Sequence, residues 1–274
     1  MTSNVGANII RHVGAKFTSP HTVGVDFIRP KKVGAKHCEP EKCRGEGLPS
    51  PFGGNMNYIE NLINRKPHLK SQEQNIKTAC DTLVNCYKNG NKVLICGNGG
   101  SSADSAHIVG ELMKGFKKQR KIDDSLKNSI NNVLTDLSKN TNIDVDKKLN
   151  EFVSTIEVGL ATIDLTSFQA LNTAIANDTN AEYVFANSVN ALGKAGDALI
   201  AISTSGNSKN VVGACIMAKA KNIKVIALVG GTGGLLKNLS DIMIASPDTE
   251  CYLVQEDHIS IYHALCLQIE EELF

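Results

Sequence analysis

Short runs of consecutive apolar residues, each followed by a helical pattern, recur along most of this chain. The runs lie at 92–96 (KVLIC), 197–203 (DALIAIS), 224–229 (KVIALV) and 242–245 (IMIA), with a further candidate at 160–166 (LATIDLT). They are unbroken apolar runs rather than alternations of apolar and polar residues, which is typical of strands buried on both faces. Strands that alternate with helices predict an α/β fold, in which a parallel sheet lies between two helical layers.

The spacing of apolar residues predicts the helices around these strands. They are expected at 57–66, 70–89, 102–116, 168–176, 209–221, 235–239 and from about residue 253. Residues 117–157 form an insertion rich in Lys, Asn and Asp. We interpret it as a helical and loop excursion whose charges are solvated.

The first 55 residues differ from the rest of the chain. Val-Gly recurs at residues 5, 13, 23 and 33, and five of the seven prolines lie in this segment. Because the segment has no helical or strand periodicity, it predicts a low-complexity, disordered arm, and residues 56–274 predict the folded domain. Met56 directly precedes the first helical pattern and is an alternative translation start.

Charge and cysteine content exclude several classes of protein. The formal net charge is only +1, which argues against a protein that coats nucleic acid or an anionic membrane. No apolar run approaches the ~20 residues of a membrane span. Eight cysteines in 274 residues are too sparse for a disulfide scaffold, so we expect reduced, buried thiols and a cytoplasmic protein.

Two strand–loop–helix junctions carry small and hydroxyl-bearing residues. They are residues 96–102 (CGNGGSS) and 203–208 (STSGNS). Small residues let the backbone approach an anion, and the amides of a helix N-terminus point toward it. Neither junction fits the Walker or the dinucleotide pattern. Two such loops after two strands predict a phosphate site at one edge of the sheet.

Two further pairs of residues suggest a metal site. His107 and Glu111 lie four positions apart and share one face of a predicted helix, and Gln255 and His263 lie on the terminal helix. Histidine and carboxylate suit zinc. In an unbroken helix Gln255 and His263 are about 12 Å apart along the axis, so one ion contacts both only at a distorted helix start or between subunits. His258 is a competing ligand.

These motifs resemble those of the sugar isomerase (SIS) superfamily, and within it the phosphoheptose isomerases. The resemblance is carried by CGNGGS at 96–101, His107 with Glu111, AND at 176–178, ISTSGNS at 202–208, and the Gln255, His258 and His263 pattern. It spans residues 57–274, with a longer insertion at 117–157 than in compact members. Two positions depart from the family pattern: Lys114-Gly115 stands in place of an Arg, and Tyr252 in place of an Asp.

The resemblance implies a homotetramer of flavodoxin-like domains with one Zn²⁺ per subunit. The zinc would be bound by His107, Glu111, Gln255 and His263. Phosphate would be bound by Ser101, Ser203, Thr204, Ser205 and Ser208. The sugar would be lined by Asn98, Gly99, Gly100, Asn177 and Asp178, together with Glu111 and Gln255.

The implied reaction converts sedoheptulose 7-phosphate to D-glycero-D-manno-heptose 7-phosphate through a cis-enediol, at the start of ADP- or GDP-heptose precursor synthesis. Glu111 would be the base and His263 the acid/base partner on oxygen. Other SIS sugar-phosphate isomerases, and non-catalytic SIS adaptors that bind a replication initiator, remain alternatives. Retention of the His, Glu and Gln set favours an enzyme.

Overall fold

Five parallel strands form one sheet at the centre of the chain. The computed structural model describes residues 57–274. The strands are β1 (Val93–Cys96), β2 (Thr162–Asp164), β3 (Ala198–Ser203), β4 (Lys224–Gly230) and β5 (Ile242–Ser246). They are arranged in the order β2-β1-β3-β4-β5. This is the flavodoxin-like order, and the prediction of a parallel α/β sheet is confirmed.

Helices cover both faces of this sheet. In chain order they are α1 (Tyr58–Arg65), α2 (Glu73–Lys88), α3 (Gly100–Leu112), α4 (Asp124–Ser138), α5 (Val145–Thr155), α6 (Gln169–Ile175), α7 (Val184–Leu192), α8 (Lys209–Ala220), α9 (Leu236–Leu239) and α10 (Cys251–Leu273). Short 3₁₀ turns lie at Pro67–Gln72 and Ala181–Tyr183, and a π-helical turn lies at Ala176–Asn180. Within this described range, no helix is both long enough and apolar enough to cross a membrane.

Successive residues of β1, β3, β4 and β5 point into different apolar cores. On β3, Ile200 and Ile202 pack with residues of α1, α2, α3 and α10, whereas Leu199 and Ala201 pack with residues of α7, α8 and α9. All six residues of β3 are buried. The unbroken apolar runs of the sequence therefore reflect a sheet covered on both faces, and the three-layer arrangement is confirmed.

One helix was not predicted, and another ends well before its predicted end. α7 was not predicted, although Val184 and Val189 are buried in the second core. α3 was predicted to run to residue 116 but ends at Leu112, because the segment that follows is held by long-range contacts. The local spacing of apolar residues cannot predict contacts with residues so distant in the chain.

A buried ion pair holds this segment. Glu270 on α10 accepts hydrogen bonds from the backbone N–H groups of Phe116, Lys117 and Lys118 at 2.9, 2.8 and 3.0 Å. Its Oε1 also accepts from Arg120 Nε at 2.9 Å, and both side chains are at most 2% exposed. The connection after α3 is thereby fixed to α10.

The insertion contains the two helices α4 and α5, which pack on each other. Leu134 is the one residue of α4 that is buried, and α5 has none. Most residues of both helices are exposed. The predicted arm at residues 1–55 lies outside the described residues, as do Cys38 and Cys43.

The six described cysteines are all free thiols. Five are buried, as expected, namely Cys80, Cys86, Cys96, Cys215 and Cys266. Cys251 is exposed at the start of α10, so the expectation of burial is wrong there.

Candidate active site

The two loops singled out in the sequence lie side by side at the carboxyl ends of β1 and β3. These strands are neighbours, and the chain order reverses between them, which is where ligands bind in open α/β sheets. The side chains of Asn98 and Asn210 exchange two amide hydrogen bonds, at 2.8 and 2.9 Å, and so join the first loop to the start of α8. The loops therefore form one continuous surface.

The second loop is built for close backbone approach. Gly206 has φ +66°, and a Cβ there would lie 2.0 Å from the carbonyl oxygen of Gly233. Asn207 accepts a hydrogen bond from the N–H of Leu235 at 3.0 Å. The Gly-rich turn at 230–234 thus supports the predicted phosphate loop; this role was not predicted, although the four glycines at the end of β4 and directly after it were the available signal.

The hydroxyls of the second loop differ in accessibility. Ser203 is buried, and its Oγ lies 3.0 Å from Ser208 Oγ. Ser205 is exposed, while Thr204 and Ser208 are half-buried. Ser205, Thr204 and Ser208 are therefore the hydroxyls that can meet a ligand, and Ser203 orients Ser208.

The first loop lies against the beginning of α10. Gly99, at φ +56°, precedes α3, and Ser101 is buried in its first turn. A Cβ on Gly100 would lie 2.4 Å from Gln255 Nε2, so the Gln255 amide covers this glycine. The structure thereby brings Gln255 to the Gly-rich loop.

A second group of predicted residues meets further along α3. His107 Nε2 lies 3.2 Å from Glu111 Oε1 and 3.5 Å from His263 Nε2. Lys114 Nζ donates to the other Glu111 oxygen at 3.1 Å, so the residue that departs from the family pattern contacts the predicted base. His107 is the common partner of this His–Glu–His group.

The local environment favours a neutral His263. Burial and the adjacent His107 lower the pKa of His263, whereas Glu111 opposes the shift. A neutral imidazole retains one nitrogen lone pair, which a metal ligand or a proton acceptor needs.

Gln255 and the His–Glu–His group are separate within one chain. α10 is a continuous helix, so Gln255 and His263 lie about 12 Å apart along its axis. Gln255 contacts Gly100, while His263 contacts His107. His258, the competing ligand, is fully buried with its Nε2 3.1 Å from the Val229 carbonyl oxygen, and among the described residues no hydrogen bond joins it to either group.

A more compact group of ligating side chains lies elsewhere among the described residues. Atoms of His68, Asp248 and Asp257 lie within 4.8 Å of one another, a spacing that can hold a metal ion. However, Lys66 Nζ lies 2.7 Å from Asp257 Oδ1, and Ser246 Oγ donates to Oδ2 at 2.7 Å. Burial raises the pKa of Asp257, but the bonds from Lys66, Ser246 and His68 outweigh it and lower the pKa. The Lys66 ammonium group therefore already neutralises the Asp257 carboxylate, and this group of ligating side chains has no need of a metal cation.

The remaining predicted residues, Asn177 and Asp178, lie on the exposed π-helical turn. Their side chains are hydrogen-bonded to each other at 2.9 Å, and among residues 57–274 no hydrogen bond joins them to either loop.

Thr166, directly after β2, links this strand to the first turn of α3, a contact that was not predicted. Its hydroxyl accepts a hydrogen bond from Ser102 Oγ at 2.8 Å and donates one to Asp164 at 2.9 Å. Polar residues directly after a strand were the available signal.

Comparison with known proteins decides the family. The SIS domain family matches residues 57–154 and 142–230. Phosphoheptose isomerase 2 of Campylobacter jejuni is 39% identical over 219 residues, covering 79% of this chain and 90% of that protein. The chain belongs to the phosphoheptose isomerase family of SIS-domain proteins. The phosphoheptose isomerase of Helicobacter hepaticus is also 39% identical, over 82% of this chain and 92% of that protein.

Solved structures agree with this assignment to the phosphoheptose isomerase family. The phosphoheptose isomerase of Neisseria gonorrhoeae has a TM-score of 0.58 and 29% identity, covering 78% of this chain and 95% of that chain. That of Francisella tularensis also has a TM-score of 0.58, with 31% identity. The two SIS matches overlap at 142–154, within the α4–α5 insertion. The resemblance read from the motifs is confirmed.

Proposed function

We propose that this phosphoheptose isomerase family member converts sedoheptulose 7-phosphate to D-glycero-D-manno-heptose 7-phosphate. The observation that carries the proposal is the position of a His–Glu–His group about two to three helical turns beyond a Gly-rich loop, beside a second loop with accessible hydroxyls. The relatives at 34–39% identity named phosphoheptose isomerase support the same reaction.

The reaction moves a carbonyl group from C2 to C1. Glu111 removes a proton from C1, and His263 transfers the proton of the C1 hydroxyl to the C2 oxygen, which gives the enediolate anion of a cis-enediol. Glu111 then returns its proton to C2, so no atom is gained or lost. Proton transfer by positioned groups contributes ~10²–10⁴-fold, and binding and electrostatic stabilisation supply the rest.

The two loops bind the phosphate and the sugar. The N-terminus of α8 and the hydroxyls of Ser101, Ser203, Thr204, Ser205 and Ser208 bind or orient the phosphate, since helix amides and hydroxyls donate to anions. The sugar is lined by Asn98, Gly99, Gly100, Asn177, Asp178 and Gln255. In this proposal the phosphate lies on the β3 side and the reacting carbons lie toward Glu111.

An isomerisation assay tests the reaction. The full-length chain, with and without added zinc, is incubated with sedoheptulose 7-phosphate, arabinose 5-phosphate, fructose 6-phosphate and unphosphorylated sedoheptulose. We expect the heptose phosphate to have the highest kcat/KM and the unphosphorylated sugar to be a poor substrate. A preference for another sugar phosphate would contradict the substrate, and equal use of sedoheptulose would contradict the phosphate site.

His107, Glu111 and His263 fit a zinc ion chemically. Zinc–nitrogen bonds of about 2.0–2.1 Å at tetrahedral angles put two ligand nitrogens ~3.4 Å apart. The two histidine nitrogens are 3.5 Å apart, and the Glu111 oxygen is 3.2 Å from one of them. When bound, zinc would polarise the two sugar oxygens that exchange the proton. We therefore propose that these three residues hold the zinc, and that Gln255 from a second subunit completes the set.

Metal content distinguishes the two ligating groups. His263→Ala should lose most of the zinc retained after dialysis, because it removes one nitrogen ligand of the His–Glu–His group. His68→Ala is the matched control and should keep about one zinc per chain, since Lys66 already neutralises Asp257. Elemental analysis of both variants gives the answer, and loss of zinc in His68→Ala alone would move the metal to the other group.

We further propose a homotetramer in the cytoplasm. The separation of Gln255 from His263 supports an assembled site, because a zinc set that includes both requires a second subunit. The free, mostly buried thiols support a reducing compartment. Light scattering of the full-length chain measures the assembly, and a stable 29.4 kDa monomer would contradict it.

A further inference from the structure

We propose that Tyr262 and Asp104 are positioning residues that fix which nitrogen of His107 carries its proton. The inference rests on the zinc role proposed for His107. Tyr262 belongs to α10 and is 1% exposed, whereas Asp104 precedes His107 by one turn of α3. Neither residue carried any signal of function in the sequence.

The geometry joins the three side chains in one hydrogen-bonded chain. Tyr262 Oη lies 2.8 Å from His107 Nδ1 and 3.3 Å from Asp104 Oδ1. The rings of Tyr262 and His107 meet edge to face, with centroids 5.4 Å apart. His107 Nε2 is then left facing Glu111 and His263.

The donor count decides the direction of these bonds. An ionised carboxylate can only accept, and the Oδ2 atom of Asp104 is buried without a partner in the described structure. If Tyr262 donated its single proton to His107, Asp104 Oδ1 would lose its donor while the buried Oδ2 already has none, and an unpaired buried oxygen is costly. Tyr262 therefore donates to Asp104 and accepts the Nδ1–H of His107.

The consequence is a free lone pair on Nε2, where a metal ion would bind. Glu111 acts in the opposite sense, because a carboxylate 3.2 Å from Nε2 favours a proton on that nitrogen. A proton on Nε2 would exclude the metal. Tyr262 and Asp104 offset this competition, as groups that hydrogen-bond to metal-ligating histidines do.

The test compares Tyr262→Phe with Tyr87→Phe. Tyr87 is a matched control, because its buried hydroxyl also makes one short bond, 2.7 Å to Thr162 Oγ1, in the same apolar core but away from His107. Zinc dissociation constants are measured by competition with a chromophoric chelator. We expect a 10–100-fold weaker zinc affinity for Tyr262→Phe and for Asp104→Ala, and wild-type affinity for Tyr87→Phe. Equal affinities in wild type and Tyr262→Phe would overturn the inference.

A second measurement separates this inference from the zinc proposal. Nitrogen NMR of the metal-free, full-length chain reports which imidazole nitrogen of His107 is protonated. We expect protonation at Nδ1 in the wild type and a shift toward Nε2 in Tyr262→Phe. That result with no zinc binding by the wild type would refute the metal site and retain the positioning role, whereas an Nε2–H wild type would refute the positioning role itself.

Discussion

Glu111→Gln is expected to reduce kcat by at least ~100-fold while leaving KM within a few-fold of the wild-type value. The amide keeps the shape of the side chain but cannot accept the C1 proton, and a positioned base contributes ~10²–10⁴-fold. The measurement is steady-state kinetics with sedoheptulose 7-phosphate at saturating zinc. Retention of more than about a tenth of wild-type kcat would show that Glu111 is not the base.

Glu151→Gln is the matched control for this variant. Glu151 is also a helical glutamate paired with a lysine, at 2.8 Å from Lys148 Nζ, but it lies on the exposed insertion helix α5. Its substitution should leave kcat and KM unchanged. Zinc content is measured in parallel, since Glu111 is also a proposed ligand, and kcat is compared per bound zinc.

Glu270→Ala is expected to lower the free energy of unfolding by about 3–5 kcal/mol. The substitution leaves Arg120 buried without its partner and removes the acceptor of three backbone N–H groups. Breaking a buried ion pair from one side has a cost of this size. Urea unfolding of both proteins measures the difference.

The neighbouring residue supplies the control. Glu271 pairs with Lys118 at 3.0 Å, but its side chain is 20% exposed and that of Lys118 is 35% exposed. Glu271→Ala should therefore cost no more than about 1 kcal/mol. Similar losses for Glu270→Ala and Glu271→Ala would show that the connection after α3 is not held by the buried pair.

The stabilising effect of Glu270 should depend on pH. Burial raises the pKa of Glu270, but the N–H groups of Lys118, Lys117 and Phe116 and the Arg120 guanidinium outweigh burial and lower it. A carboxyl with a lowered folded-state pKa stabilises the fold above its unfolded pKa of about 4.3, and this contribution disappears as the pH falls through the folded value. The stability difference between wild type and Glu270→Ala should be constant from pH 7 to 5 and shrink in more acidic buffer.

Much of this fold could be predicted from local pattern alone. The strands β1, β3, β4 and β5 coincide with unbroken apolar runs, because a strand buried on both faces has no solvent side. The loops after β1 and β3 could be paired as one phosphate surface, because carboxyl ends of parallel strands meet at one edge of the sheet.

The family, too, could be identified from the sequence. The motifs around His107, Ser203 and Gln255 follow one another in the family's order, and that order is a property of the chain itself. The positions of the ligating side chains in space, by contrast, could not be predicted from the order of the motifs. That Gln255 contacts Gly100 and His263 contacts His107 depends on how α10 packs against α3, which no spacing within α10 reveals.

Tertiary packing alone decided the remaining features of the site. α3 ends at Leu112 because Glu270, about 150 residues later in the chain, binds the segment that follows. The Nδ1 atom of His107 has a partner because α10 places Tyr262 beside it. Local composition determined which segments became strands, helices and anion-binding loops, since those depend on a residue and its near neighbours. The partners of each polar side chain were decided only when the helices packed, because a hydrogen bond or an ion pair depends on distances that distant parts of the chain set together.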